Sequence, residues 1–502
     1  MNRPHLLAID QGTTGTTALV MDASGVTLGR ANREFAQHFP APGRVEHDAD
    51  EIWRSVLEAV SGALVEARVP VESIVALGIT NQRETSLLWE RDSGRPVGRA
   101  LVWQDRRTTD LCAEVRAGGH EEAVRNVTGL VIDPYFSASK VAWLLRENAE
   151  LRRDAEAGRL SFGTIDSFLV ERLTGGSAAG SPHVIEVTNA SRTLLMELRS
   201  RTWSEPMLQL WGVPRALLPR IVPSAGVVGV TRGVPGLPDG IPIAGIAGDQ
   251  HAALFGQGCF APGEAKCTYG TGAFVLVSTG DRPVPSQHGL LTTLGWQIGD
   301  SVTYALEGAS FVAGAAVQWL RDGLGLIGSS SEVEALAQTV ASSDGVVFVP
   351  ALTGMGAPYW DPDARGLITG LTRGSTRAHL ARATLDAIAF QVEDLLGAMA
   401  DDLQEPLGKI RVDGGAAQND FLMQLQADYS GLHVERPPDL ESTARGAAML
   451  AAVGVGLYQG TEQVRAMLAT ERTFAPALDE SARTSVKERW SQAVRRARSS
   501  LG

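Results

Sequence analysis

The chain is poor in cysteine, in aromatic side chains and in unbroken apolar runs. Its three cysteines, Cys112, Cys259 and Cys267, form an odd and scattered set. They offer neither a disulfide framework nor the paired spacing of a zinc site, and they fit a reducing compartment. No stretch of about 20 apolar residues is free of charges and turn signals, which excludes a membrane-spanning helix. The opening MNRPHLLAIDQG has too short an apolar run for a secretory signal, so a cytoplasmic protein is expected. Positive charge is also scarce: 45 Lys and Arg face 57 Asp and Glu, a net charge of −12. A nucleic-acid binder or a protein held on an anionic membrane needs a basic face, and this balance argues against both. A local basic pocket for a phosphorylated ligand is still possible.

What is present is ordinary for a globular protein: 502 residues, 44% hydrophobic and 20% charged, enough for two or more domains with sizeable cores. Short apolar runs alternate with helical patterns, which points to α/β architecture. IVALGIT (74–80), GVVFVP (345–350) and IRVDGG (410–415) read as buried strands. Residues 48–67 and 377–403 read as amphipathic helices, and EGASFVAGAAVQWLRDGLG (307–325) as another, ended by glycine. Asp48 and Glu51 have the spacing of a helix N-cap and its partner, so EHDADE is a cap and not a metal site. The Gly- and Pro-dense stretch from Val222 to Gly245 reads as a loop between lobes.

Chemistry first shows in AIDQGTTGTTALV (8–20), a strand, a tight Gly/Thr turn and a second strand. Gly12 and Gly15 suit a turn that needs positive φ or a close backbone approach. Backbone N–H groups and hydroxyls there could cradle phosphate, yet no lysine makes it a Walker loop. Half a chain later, YGTGAFVLVSTG (269–280) repeats the design. Two such turns are what a nucleotide clamp between two related domains needs. A dinucleotide fingerprint fails at GTGAFV, because its sixth residue is Val275 and a strand follows instead of a helix.

The motifs IDQGTT, GITNQRET, VWQDRR, TGLVIDPYFSASK, TNASRT, GIAGDQHAALFGQ, TYGTGAF, YALEGASFVAGAAVQWLRD, GMGAPYWDPDARG and RVDGGAAQNDFLMQ follow one another through most of the chain. In this order the sequence resembles the FGGY carbohydrate kinases, within the actin-like/hexokinase ATPase superfamily. NQRET, DPYFS and GDQHAALFG resemble the glycerol-phosphorylating branch and not the pentulose kinases.

The resemblance implies two related actin-like (ribonuclease H-like) α/β domains, residues 1–253 and 254–502, with a cleft between them. It implies phosphoryl transfer from ATP to glycerol with Mg²⁺, giving sn-glycerol 3-phosphate, in a homodimer or homotetramer. Asp249 would be the general base, since the attacking hydroxyl must lose a proton to a carboxylate within reach. Arg83 and Glu84 would bind glycerol hydroxyls, each of which donates and accepts. They follow IVALGIT, at the strand end where α/β sheets bind ligands. Tyr135 and Gln250 would complete the polar contacts, and Trp103 and Phe274 would wall the carbon skeleton. Asp10 would lie near Mg²⁺, a cation that prefers oxygen ligands. The nucleotide set would be Thr13, Thr14, Gly15 and Thr17 in the first turn, Thr271 in the second, Gly314 and Gln318 on one helix face, and Gly415 with Asn419 at the adenosine end.

The chain departs from the family at three places. Many relatives have DQGTTSSR where this chain has DQGTTGTT, so the family arginine is Thr17 here. Some bacterial relatives carry a basic Gly-rich loop that binds fructose 1,6-bisphosphate, where this chain has TRGVPGLPDG (231–240). Others have a phosphorylatable histidine nearby, and this stretch has none. The alternatives are a family kinase for another small polyol or ketose, and a catalytically weak actin-like ATP-binding protein.

Overall fold

HLLAIDQ and GTTALVMD carry buried apolar runs and are separated by a Gly/Thr turn, and they fold as the first hairpin of one long sheet. The computed structural model describes residues 3–499. The sheet has thirteen strands: β1 His5–Gln11, β2 Gly15–Asp22, β3 Thr27–Glu34, β4 Ile74–Asn81, β5 Ala225–Val230, β6 Pro242–Gly248, β7 Ala265–Tyr269, β8 Ala273–Gly280, β9 Leu291–Ile298, β10 Ser301–Ser310, β11 Lys409–Asp413, β12 His433–Arg436 and β13 Arg472–Phe474. Their order is β13-β12-β11-β7-β8-β10-β9-β5-β6-β4-β1-β2-β3.

Two copies of one pattern lie within that order. β3-β2-β1 is an antiparallel meander continued by the parallel strands β4 and β6. β10-β8-β7 is likewise antiparallel and is continued by the parallel strands β11 and β12. The internal echo in the sequence is therefore a repeated fold. The copies meet at β5, which joins β9 through a single parallel pairing, Ala225 with Ile298.

Helices cover the sheet. α1 (Ala49–Ala67) begins as expected: Asp48 accepts from the N–H groups of Asp50 and Glu51. Glu51 turns to His38, 3.3 Å away, instead of closing a capping box. α2 (Asp249–Gly256) follows β6 directly, and the expected boundary at 253/254 falls inside it. α3 is Gly314–Gln318, α4 Arg377–Leu403 and α5 Ser442–Gly454. α2 and α5 pack backbone to backbone. A Cβ on Gly446 would lie 1.8 Å from the Ala252 carbonyl, so only glycine permits this approach. One core joins α1 to β1, β2 and β4, and another joins α4 to β7, β8 and β11. A third lies in the inserted segment after β4, around Phe136, Phe162 and Leu195, and reaches Leu291 and Tyr304.

Two expectations are corrected. Residues 307–325 are not one helix: Glu307 to Ser310 end β10, and α3 begins only at Gly314. The small residues around Gly308 favour neither helix nor strand, and pairing with β8 and β9 fixes Glu307–Ser310 as strand. Val222–Gly245 is not all loop, because β5 and the start of β6 lie in it and only 231–241 connects them. GVVFVP contributes a short strand, Val347–Val349, which pairs outside the main sheet with Leu367–Thr369.

Candidate active site

β6 ends at Gly248, and Asp249 opens α2. Its Oδ1 accepts from the Gln250 N–H at 2.6 Å and from Arg83 Nε at 3.0 Å. The side chain remains 29% exposed, so it is anchored on one side and open on the other. Burial raises its pKa, and Arg83 opposes that rise. An anion at a helix N-terminus is further favoured by the backbone dipoles.

Arg83 and Glu84 lie just past β4. They are almost wholly buried, 2% and 1% exposed. Arg83 donates to both oxygens of Glu307, Nη1 to Oε2 at 2.7 Å and Nη2 to Oε1 at 2.8 Å. Nη2 also reaches the Tyr135 hydroxyl at 3.4 Å. Glu84 has a left-handed backbone, φ 59°, a conformation that costs an ordinary residue about 1–2 kcal/mol. Its carbonyl accepts from Ser86 and Ser137 hydroxyls at 3.0 Å, which holds the turn. Its carboxylate accepts from Arg192 Nε at 2.6 Å, and Arg192 Nη2 reaches Glu307 at 3.2 Å. Two arginines and two glutamates thus form a buried square, with Asp249 on its open side. Burial would raise both glutamates. The two arginines pull Glu307 far below the usual carboxylate range, while Glu84 stays raised.

Trp103 and Phe274 are the two residues expected to wall the carbon skeleton. Trp103 and Tyr135 meet edge to face with centroids 5.6 Å apart. Trp103 Nε1 donates to Thr13 Oγ1 at 2.9 Å, tying the wall to the first Gly/Thr turn. Phe274 is half-buried on β8. It shares a face with Leu276, which packs in the cluster around α2 residues Leu254 and Phe255.

Asp10 ends the apolar part of β1. Burial pushes its pKa up to about 7, with Glu441 and Asp249 adding to the rise and the Thr443 hydroxyl, which donates to it, opposing. A carboxylate so placed fits a divalent cation. No cluster of three His, Cys, Asp or Glu able to hold a metal occurs among the described residues, so most ligands would have to come from phosphate and water.

The first turn closes by a bond from Gly12 N–H to the Gly15 carbonyl at 2.9 Å, and the second by Gly270 N–H to Gly272 at 2.9 Å. Gly15 serves close approach and not positive φ: a Cβ there would lie 2.9 Å from the Arg33 carbonyl. Thr14 and Thr271 are exposed at the turns. Thr17 is not. It lies within β2, is 8% exposed, and accepts from Asn32 Nδ2 at 3.0 Å.

The start of α3 packs on the second turn. Gly314 N–H donates to Gly270 at 3.0 Å, and a Cβ on Gly314 would sit 2.6 Å from that carbonyl. The turn itself therefore requires glycine at this position. Gln318 is exposed one turn on, and Gly415 is exposed with open space around it. Asn419 accepts from Leu422 N–H as the cap of helix Asp420–Ser430. No hydrogen bond joins Gln318, Gly415 and Asn419 to one another among the described residues.

Sequence reasoning missed Arg192, Glu307 and Lys266. Glu307 was hidden by the helical reading of 307–325. Arg192 stood inside a motif without any sign of its burial. Lys266 could have been found from strand alternation in AKCTY, which puts a lysine on the same face as Thr268.

The FGGY family of carbohydrate kinases matches the chain twice, its N-terminal domain over residues 5–256 and its C-terminal domain over residues 265–455. A glycerol kinase of Myxococcus xanthus (strain DK1622) is 52% identical over 495 residues, 98% of this chain and 99% of its own length. One from Alkalilimnicola ehrlichii is 53% identical over 495 residues, 98% of each chain. The crystal structure of Plasmodium falciparum glycerol kinase with ADP superposes with a TM-score of 0.91 at 34% identity, covering 99% of this chain and 98% of that one.

Proposed function

The chain belongs to the FGGY family of carbohydrate kinases, and we propose from this premise that it phosphorylates glycerol with ATP, using Asp249 as general base. The relatives at about half identity over nearly the whole length support the substrate pair. The observation that carries the base is the placement of Asp249: fixed by Arg83 at 3.0 Å, open on its other side, and at the junction of two repeats that each bear a Gly/Thr turn.

Glycerol is a neutral triol, so its binding needs donors and acceptors fixed in advance. Arg83, Glu84, Tyr135 and Gln250 supply them, and Trp103 and Phe274 cover the carbons. The terminal hydroxyl gives its proton to the Asp249 carboxylate. Its oxygen forms a bond to the terminal phosphorus of ATP as the bridging P–O bond breaks and ADP leaves. Thr13, Thr14, Gly15 and Thr271 face the phosphates from two sides. Thr17 acts from within β2, by shaping the turn. Gly314, Gln318, Gly415 and Asn419 form the nucleoside side. Asp10 would hold Mg²⁺, which supplies charge neutralisation on the phosphates.

The division into units 1–253 and 254–502, a homodimer or homotetramer, and a cytoplasmic location belong to the same proposal. Three free, buried cysteines support the last, and no helix among the described residues is long and apolar enough to cross a membrane.

The test is a coupled assay for ADP with ATP, Mg²⁺ and glycerol. Asp249→Asn should lower kcat by about 10²-fold or more while glycerol still binds. Near-normal turnover would remove Asp249 from the role.

A further inference from the structure

A buried lysine with no carboxylate at ion-pair distance among the described residues sits between the two parts of the site; burial lowers its pKa, and the nearby Asp413 and Asp249 oppose that fall. Lys266 lies on β7 and is fully enclosed. Its neighbours Ala265, Cys267 and Tyr269 face the C-terminal core. The pleat therefore turns Lys266 and Thr268 to the other face, toward α2. Nζ donates to Gln250 Oε1 and, at 2.9 Å, to Thr268 Oγ1. It takes part in no ion pair among the described residues.

Burying a charge that is not paired is unfavourable, and an apolar side chain of the same length would fill this space without that penalty. Both acceptors adjoin groups of the proposed site. Gln250 follows Asp249 in α2, and Thr268 stands just before the second phosphate turn, Gly270–Gly272. The ammonium bridges them across the junction of the two repeats.

We propose that Lys266 is a positioning residue that locks the Asp249 helix to the second phosphate turn and places a fixed positive charge between base and phosphate. This rests on the reading of Asp249 as base. Preorganised charge of this kind acts on the transition state more than on ground-state binding.

The experiment compares the full-length wild type with Lys266→Met, Lys266→Gln and Lys266→Arg. It measures kcat, both KM values, and folding by circular dichroism and thermal melting. Both neutral variants should fold and lose about tenfold or more in kcat, with the KM for ATP changed by less than about threefold. Lys266→Arg, which keeps the charge, should recover a large part of kcat. Neutral variants with kcat within twofold of wild type would overturn the proposal. So would an equal loss in all three variants, or neutral variants that do not fold, because the ammonium would then be structural. A wild type without glycerol-dependent ADP formation would instead remove the proposed function, and this inference with it.

Discussion

Glu307→Gln probes the buried square most sharply, because it keeps the shape and removes one charge. The carboxylate takes two bonds from Arg83, at 2.7 and 2.8 Å, and one from Arg192 at 3.2 Å. Removing one partner of a buried ion pair costs about 3–5 kcal/mol. The amide still accepts a bond worth about 1 kcal/mol, and Arg83 and Arg192 retain Asp249 and Glu84. The remaining loss is about 2–4 kcal/mol. That is a loss of folding stability, common to the enzyme with and without glycerol, and it lowers the melting temperature. The change also has a direction in pH. Burial raises the pKa of Asp249 first, and the Glu307 charge adds to that rise. Without that charge the pKa of Asp249 falls, its carboxylate becomes a weaker base, and the acid limb of kcat/KM moves to lower pH. A melting curve reads the stability loss, and ADP release across pH at varied glycerol reads the acid limb. A variant that melts at the wild-type temperature and has an unmoved acid limb would refute the argument.

Arg83→Ala and Glu84→Ala each leave a buried charged partner short of its bonds and should raise the glycerol KM about tenfold or more, with less effect on ATP. Calorimetry showing unchanged glycerol affinity in both would count against this pocket. Fructose 1,6-bisphosphate at millimolar concentration should not inhibit. In 231–240 the Asp239 carboxylate already takes the Gly233 N–H at 2.7 Å, and Arg232 is turned to the Ala179 carbonyl, so an anion finds few free donors. Saturable inhibition that disappears on mutating Arg232 would show the loop to be misread.

The first hairpin, α1, α4 and the strand β4 were legible because local pattern and tertiary role agree there. The second Gly/Thr turn was legible for the same reason, and it pointed to the repeat. Residues 307–325 were misread because small residues around Gly308 favour neither helix nor strand on their own, and only β8 and β9 decide. Val222–Gly245 was misread because its glycines and prolines mark turns while two strands pair across them. Of the site, Asp249, Arg83 and Glu84 stood in motifs with chemical meaning. Glu307, Arg192 and Lys266 matter through burial and mutual contact, which pairing far along the chain creates and no local spacing records.

The thin join between the repeats has a mechanical consequence. At the seam, β5 meets β9 through Ala225 and Ile298 alone, flanked by bonds between Ser224 and Gln297 at 2.9 and 3.0 Å. A sheet continuous through full-length strand pairs would resist torsion as a plate does. Here the strand ladder gives little of that resistance, and the packing of α5 on α2 and of Leu291 and Tyr304 on the inserted segment supplies the rest. The Arg83–Glu307 clasp lies across the same seam, from the end of β4 to β10. Any swing of one half against the other therefore pulls on the very side chains that surround the base, and the angle between the halves is transmitted to Asp249 through a guanidinium and not through a loop.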